Sequence, residues 1–350
     1  MFTVNNNELG RLNPYEAVDF FRELLWAEAW KLGVSKTLID VPSAITVADG
    51  GIDAEVKNAA ITGGQGIIKQ GLTRYQIKTG DFDPSKKAEI KSILFRDKST
   101  DLKPRVKSCL EKDGTLVIVL FGYDNPDRKD DQKVNLFRDT LKKSHPKFAN
   151  AKIEILQQNQ LAAFLKPFPS LTLKLKGLNS LPIETFKSWS WHDDMKPSFI
   201  KSPDFDQFAI SIRDSLRTPG QARSMRVIGD PSIGKTRFIL EALREDNLAP
   251  LVIYAKAQAF LNSDLLINYL SREDNIFQVI AVIDECNLTQ RIEILNKLSN
   301  RSTRIRLITI YNEEESREHN IDYPRVPQLT TEAIKQIILS YNVPADQVER

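Results

Sequence analysis

Apolar and polar positions along this chain follow two rhythms. Between residues 14 and 32, Ala17, Phe20, Phe21, Leu24, Leu25, Trp26, Ala29 and Leu32 recur at helical spacing. Asn13 suits the N-cap, Pro14 the first turn and Gly33 the stop of that helix. Ile52, Ala54 and Val56 alternate with polar residues, as a half-buried strand does, and a second short strand is read over 73–80. Almost unbroken apolar runs at 115–121, 250–255, 277–283 and 305–310 read as strands, and such runs belong to strands covered on both faces in parallel sheets. A strand at 153–156 precedes a helix at 159–165. Helical patterns at 205–216, 237–243, 265–270, 290–298 and 329–339 frame or separate the later strands. The expected fold class is therefore α/β: an N-terminal α/β domain, then a three-layer domain around a parallel sheet.

Prolines set the boundaries. Pro167, Pro169, Pro182, Pro197 and Pro203 interrupt the periodic segments, and Trp189 and Trp191 lie among them as packing anchors. The expected division is a first domain over 1–175, a linker over 176–204 and a second domain over 205–325. Residues 326–350 begin a helical lid in which the chain stops, so that further sequence is expected beyond Arg350.

Chemistry is densest at Gly229-Asp230-Pro231-Ser232-Ile233-Gly234-Lys235-Thr236, the G-x-x-x-x-G-K-T phosphate loop. It follows the apolar run Met225-Arg226-Val227-Ile228 and precedes a helical pattern, which is the strand–loop–helix setting it needs. Gly229, Ser232 and Gly234 allow a loop whose N–H groups face phosphate, Lys235 reaches the β and γ oxygens, and Thr236 ligates Mg²⁺. Arg237 opens the following helix beside them. The strand at 277–283 ends in Asp284-Glu285, where Asp284 can hold the metal and Glu285 can orient the attacking water. ATP and Mg²⁺ are the cofactors implied. Thr309, on the next strand, is placed where a γ-phosphate sensor would sit, and Arg301, Arg304 and Arg306 are candidates for a cation supplied to a neighbouring subunit.

A second constellation lies in the N-terminal domain. Asp53 starts one strand of a hairpin and Gln76-Ile77-Lys78 lies on the next, an arrangement that can converge at a sheet edge. Asp53 and the Gln76 amide oxygen, with the Ile77 carbonyl, form a hard-oxygen set suited to Mg²⁺. Lys78 would position or deprotonate water and stabilise developing charge. Glu28, or Glu23, from the first helix would complete the shell. Such a set cuts phosphodiesters, so double-stranded DNA is the expected substrate.

Composition changes this picture little. The chain has 350 residues, a net charge of +3 and two cysteines, Cys109 and Cys286, which are far apart and without metal-ligand spacing. Between Gly66 and Lys112 there are twelve Lys/Arg against six Asp/Glu, a basic segment around Gln76 and Lys78. No apolar run approaches the roughly 20 residues of a membrane span, and no secretory leader is read, so a cytoplasmic protein without membrane attachment is expected.

The D…QxK pattern over about 10–170 resembles the Mrr-like branch of the PD-(D/E)xK nucleases, in which D…QxK replaces D…ExK. Joined to the P-loop and the V-I-D-E-C strand end, it resembles the bacterial antiviral STAND NTPases of the Avs type, NLR-like defence sensors. The resemblance implies an anti-phage effector: an Mg²⁺-dependent DNA endonuclease controlled by ATP binding and by homo-oligomerisation, with a tetramer as the active form. It implies a phage protein as trigger, sensed by a C-terminal repeat region absent from this chain. Two other readings remain open, an ATP-driven restriction or repair motor and a signalling NTPase whose N-terminal domain binds DNA without cutting it.

Overall fold

A computed structural model describes residues 4–42, 51–61, 66–124, 130–177, 182–195, 198–217, 224–245, 247–271, 278–298, 305–312, 323–324 and 326–340. Arg301, Arg304, Phe277, the 48–50 lead-in to the first hairpin and the last ten residues lie outside them. The chain divides into two units, one running to Lys166 and the other from Pro167.

The first unit is a five-stranded sheet in chain order: β1 (Ile39–Asp40), β2 (Ala54–Ala59), β3 (Gly71–Lys78), β4 (Thr115–Leu120) and β5 (Ile153–Leu156). The pairs β1/β2 and β2/β3 are antiparallel, whereas β3/β4 and β4/β5 are parallel. Parallel strands need crossovers, and helices Lys87–Leu94, Pro104–Glu111 and Asp130–Ser144 provide them. These helices cover one face, where Ile90, Ile93 and Phe137 pack against Leu116, Ile118 and Leu120. Helix Pro14–Leu32 covers the other, with Phe21 edge-on to Tyr75 and Phe20 edge-on to Phe121. Its N-terminus is fixed by Asn13, whose side chain accepts from the amides of Tyr15 and Glu16, and it ends at Gly33, which adopts φ +69°.

At the C-terminal ends of β3 and β4 the backbone is unusually close. A Cβ on Gly122 would overlap the carbonyl of Gly80, so the ends can approach only because position 122 lacks a side chain. Gly122→Ala is expected to destabilise this unit by about 1–3 kcal/mol, the range for forcing a methyl into filled space. Urea unfolding read by a first-unit probe checks it, and an unchanged midpoint would show that the two turns can separate freely.

The second unit is built on a sheet of order β6-β8-β9-β10-β7, with β6 (Glu184–Thr185), β7 (Ser224–Ile228), β8 (Val252–Lys256), β9 (Val279–Asp284) and β10 (Ile305–Tyr311). Strands β8, β9, β10 and β7 are mutually parallel and β6 closes one edge antiparallel. Val279, Ile280, Ala281, Val282 and Ile283 are all buried, as their unbroken apolar run requires. This unit begins at Pro167, inside the stretch expected to close the first domain, and takes in the described part of the expected linker. Helix Pro169–Lys176 donates the Ser170 hydroxyl to the Val252 carbonyl (2.8 Å), and Leu173 and Ile183 enter the core with Ile253 and Phe260. Trp189 is fully buried, stacked on Tyr254 with 4.4 Å between centroids and 8° between planes. Trp191, expected to be a second anchor, is 69% exposed. Apolar residues too sparse to show a period therefore mark the start of the second unit.

Candidate functional site

The phosphate loop runs from the end of β7 into helix Lys235–Ala242, with Gly234 at its N-cap. Gly229 (φ +155°) and Gly234 (φ +88°) occupy backbone regions that L side chains avoid. Ser232 (φ +64°) and Glu285 (φ +52°) do so without being glycine. Such strain costs of order 1–3 kcal/mol per residue and persists where surrounding structure imposes it. At Gly229 a Cβ would come within 3.9 Å of the Lys235 side chain, filling space inside the loop. The loop is thus a backbone cradle opening onto a helix N-terminus, which fits a phosphate group.

Lys235 lies folded back into this cradle, donating to the carbonyls of Gly229 (2.9 Å) and Asp230 (2.5 Å). Burial pushes its ammonium below its ordinary pKa, and the nearby Asp284 and Asp230 carboxylates oppose that shift. Thr236 donates its hydroxyl to Asp284 Oδ2 at 2.8 Å, which brings together the two residues expected to hold Mg²⁺. Thr236 follows β7 and Asp284 ends β9, strands that are not neighbours, since β10 lies between them. Asp284 also accepts from the Tyr254 hydroxyl (3.1 Å) and from the Glu285 amide (2.8 Å). The Glu285 side chain is exposed and ion-paired with Lys256 (2.7 Å), and that partner raises the lysine's pKa.

A cavity of about 920 Å³ opens on this loop. Its apolar lining includes Phe199, Ile200, Ile334 and Ile338, and Ile334 and Ile338 come from helix Thr331–Ser340. Arg237 lines the same cavity but is committed elsewhere: it donates to the Met195 carbonyl (2.7 Å) and lies 5.6 Å from the Phe199 ring centre. Polar donors combined with apolar lining suit a nucleotide. Mg²⁺ and ATP fit the residues present: Gly229, Ser232, Gly234, Lys235 and Thr236 would hold the phosphates, and Thr236 with Asp284 would hold the metal.

Thr309 is corrected by the structure. Strand β10 runs two residues past it, and its buried hydroxyl accepts from the Arg291 guanidinium at 2.8 Å. The residue at the tip that lines the cavity is Asn312. Arg306 is bound within the same unit, its Nε donating to the Leu216 carbonyl at 3.1 Å.

In the first unit, register places Ala54 opposite Tyr75, so Asp53 and Gln76 share the other face of the hairpin. Asp53 Oδ2 accepts from the Ile77 amide at 2.6 Å. Gln76 is buried; its Nε2 donates to the Ile93 carbonyl (3.1 Å), leaving Oε1 buried with no hydrogen-bond partner among the described residues. An unpartnered buried amide oxygen costs about 1–3 kcal/mol, and a cation would offset it. Mg²⁺ therefore fits Gln76 and Asp53. Lys78 is half-buried two residues along the same face, and among the described residues its ammonium has no hydrogen bond or ion pair. Glu28 does not join them. It is buried on helix Pro14–Leu32, paired with Lys31 at 3.1 Å, and its charge acts on Tyr75, whose ring lies on the opposite face from Gln76. Among the described residues no three His, Cys, Asp or Glu side chains gather as a metal site. A cleft of about 680 Å³ in this unit, lined by Glu55, Lys57, Lys69 and Arg74, lies toward the start of β3 and does not include Asp53, Gln76 or Lys78. Two of the segment's twelve cations are neutralised locally here: Arg74 pairs with Glu55 and Lys69 with Glu154.

Both cysteines are buried and free. Among the described residues no helix is long and apolar enough to cross a membrane. No family model and no curated protein matches the chain. Among solved structures it is similar to PCH-2 of C. elegans, at 15% identity and a TM-score of 0.26, over 39% of this chain and 43% of that one. It is also similar to Drosophila ORC bound to DNA, at 15% identity and a TM-score of 0.29, over 41% of this chain and 47% of that one. The chain spans less than half the length of each, and likeness of that depth says nothing about chemistry. On its own geometry, the second unit is a mixed α/β module with a P-loop and an acidic strand tip placed for a nucleotide and a metal.

Proposed function

We propose that this protein is an Mg²⁺-dependent DNA endonuclease of antiviral defence, controlled by ATP binding in its P-loop unit. The observation that carries the nuclease half is Gln76: its amide is locked by Ile93, and among the described residues its buried oxygen has no partner, on the face that holds Asp53 and Lys78. Bound Mg²⁺ would supply Lewis-acid stabilisation of charge at a phosphate. The chain's own part is to fix its ligands and to place a cation. The Ile77 amide holds Asp53, the Ile93 carbonyl holds Gln76, and the Lys78 ammonium can orient water and meet developing charge. One carboxylate makes a weaker metal site than two, which favours, as a second reading, an N-terminal unit that binds DNA without cutting it.

A nucleotide-binding unit cannot itself cleave DNA, so control requires a change in arrangement or in the number of nuclease units brought together. One site of this type cuts one strand, and a double-strand break needs two. The chain is expected to be largely monomeric and weakly active by itself. Fusion to a tetrameric coiled coil should raise double-strand cleavage at least tenfold at equal chain concentration. Fast cleavage that is first order in protein and indifferent to fusion would leave a constitutive nuclease, and no cleavage in either form would favour the second reading.

A further inference from the structure

We infer that Tyr254 is a positioning residue for the metal ligand Asp284, and that through its stack on Trp189 it ties metal occupancy to the 184–195 segment. This rests on reading the P-loop unit as an Mg²⁺–nucleotide site. Tyr254 lies on β8, between the β6 edge and β9, paired in register with Glu184 on one side and Val282 on the other. Its hydroxyl and the Thr236 hydroxyl both donate to Asp284 Oδ2, at 3.1 and 2.8 Å, while the Glu285 amide donates to Oδ1 at 2.8 Å. The carboxylate is thus held from three directions, and Tyr254 is the only one of the three donors outside the two nucleotide motifs. A ligand's orienting partner acts on the metal by restricting how the ligand turns.

The other end of the ring is bound just as specifically. Trp189 stacks flat on it, and the His192 ring meets it edge-on at 6.1 Å. His192 and Ser188 both contact Glu184, at 2.7 and 3.1 Å, which folds 184–192 into one compact piece against the tyrosine. A shift of Asp284 on metal binding therefore meets a ring whose face carries the segment that follows helix Pro169–Lys176.

Tyr254→Phe removes the hydroxyl and keeps the ring. ADP binding is measured by calorimetry in Mg²⁺ and in EDTA, and hydrogen–deuterium exchange of 184–195 is followed under the same conditions. The expected result is an affinity in EDTA within twofold of the parent, and about a tenfold loss in the Mg²⁺-dependent gain, the lower end for removing a ligand's orienting partner. Mg²⁺-dependent protection of 184–195 is expected in the parent and absent in the variant. A merely structural role would lower thermal stability and both affinities together, and would overturn the inference. So would an unchanged Mg²⁺-dependent gain, or protection of 184–195 that survives in the variant. If the parent binds no nucleotide with or without Mg²⁺, the reading of the P-loop itself fails and this inference with it.

Discussion

Lys235→Ala is expected to lower ATP affinity at least a hundredfold. The lysine would supply charge-assisted hydrogen bonds to the β and γ oxygens, each contributing about 1.5–3 kcal/mol. Part of that is offset, because the ammonium donates to the Gly229 and Asp230 carbonyls, and these bonds must be exchanged. A net loss of about 3 kcal/mol corresponds to roughly a hundredfold. The same substitution opens the cradle where Lys235 now lies, so the free loop should also become more mobile. Calorimetry with ATP and ADP checks the affinity, and parental binding by the variant would remove the phosphate-loop assignment. Glu285→Gln serves as the contrast. Glu285 is exposed and pairs with Lys256, so its amide should leave binding within a few-fold while hydrolysis slows. Equal loss of binding and hydrolysis would make Glu285 a structural residue of the strand tip.

Asp53→Ala and Lys78→Ala are each expected to abolish Mg²⁺-dependent DNA cleavage, by at least a hundredfold, while ATP binding in the second unit is unchanged. Gln76→Glu is the sharper variant. A carboxylate should hold Mg²⁺ more tightly than an amide oxygen, so cleavage should survive at lower Mg²⁺. The side chain must, however, give up its donation to the Ile93 carbonyl, and an acceptor would then face an acceptor. Without metal this should cost about 1–3 kcal/mol of stability in the first unit. Thermal unfolding of Gln76→Glu should therefore fall below that of the parent in EDTA and recover with Mg²⁺. A variant destabilised equally in both would mean that no cation reaches position 76, and unchanged cleavage by Asp53→Ala would remove the site.

What the sequence made legible was whatever its periodicity or a fixed spacing encodes. The 14–32 helix, with its Asn13 cap and Gly33 stop, matches in full, and the buried strands at 115, 153, 279 and 305 lie where apolar runs put them. The strand–loop–helix turn from Gly229 to Thr236 was readable because its glycine spacing and positive φ values go with fixed residue types. Tyr254 and Asn312 were not readable, since nothing in sequence says which strand lies beside β9 or how far β10 extends. Thr309 was misplaced for the same reason: a strand end two residues later turns a tip residue into a buried partner of Arg291. Glu28 has the composition of a metal ligand on an amphipathic helix, but helical phase puts it on the face of Tyr75. The first domain was drawn past Pro167 and the linker overread because Leu173, Ile183 and Trp189 bury themselves singly, among prolines, without a repeat.

The order of strands in the second unit also governs when it can be assembled. Strand β7, which launches the phosphate loop, pairs only with β10 among the described strands, Ser224 with Leu307 through Ile228 with Tyr311. Some eighty residues of chain must therefore be synthesised after β7 before its hydrogen-bonding edge is met. Contacts of such sequence separation form late and slow folding. A ribosome-bound chain that has not yet exposed Tyr311 holds Gly229 to Thr236 on an unpaired strand, unable to settle beside Asp284. The setting of the loop beside Asp284 is thus completed late in the unit's synthesis, whereas the first unit's sheet, paired in chain order from β1 to β5, can close as it emerges.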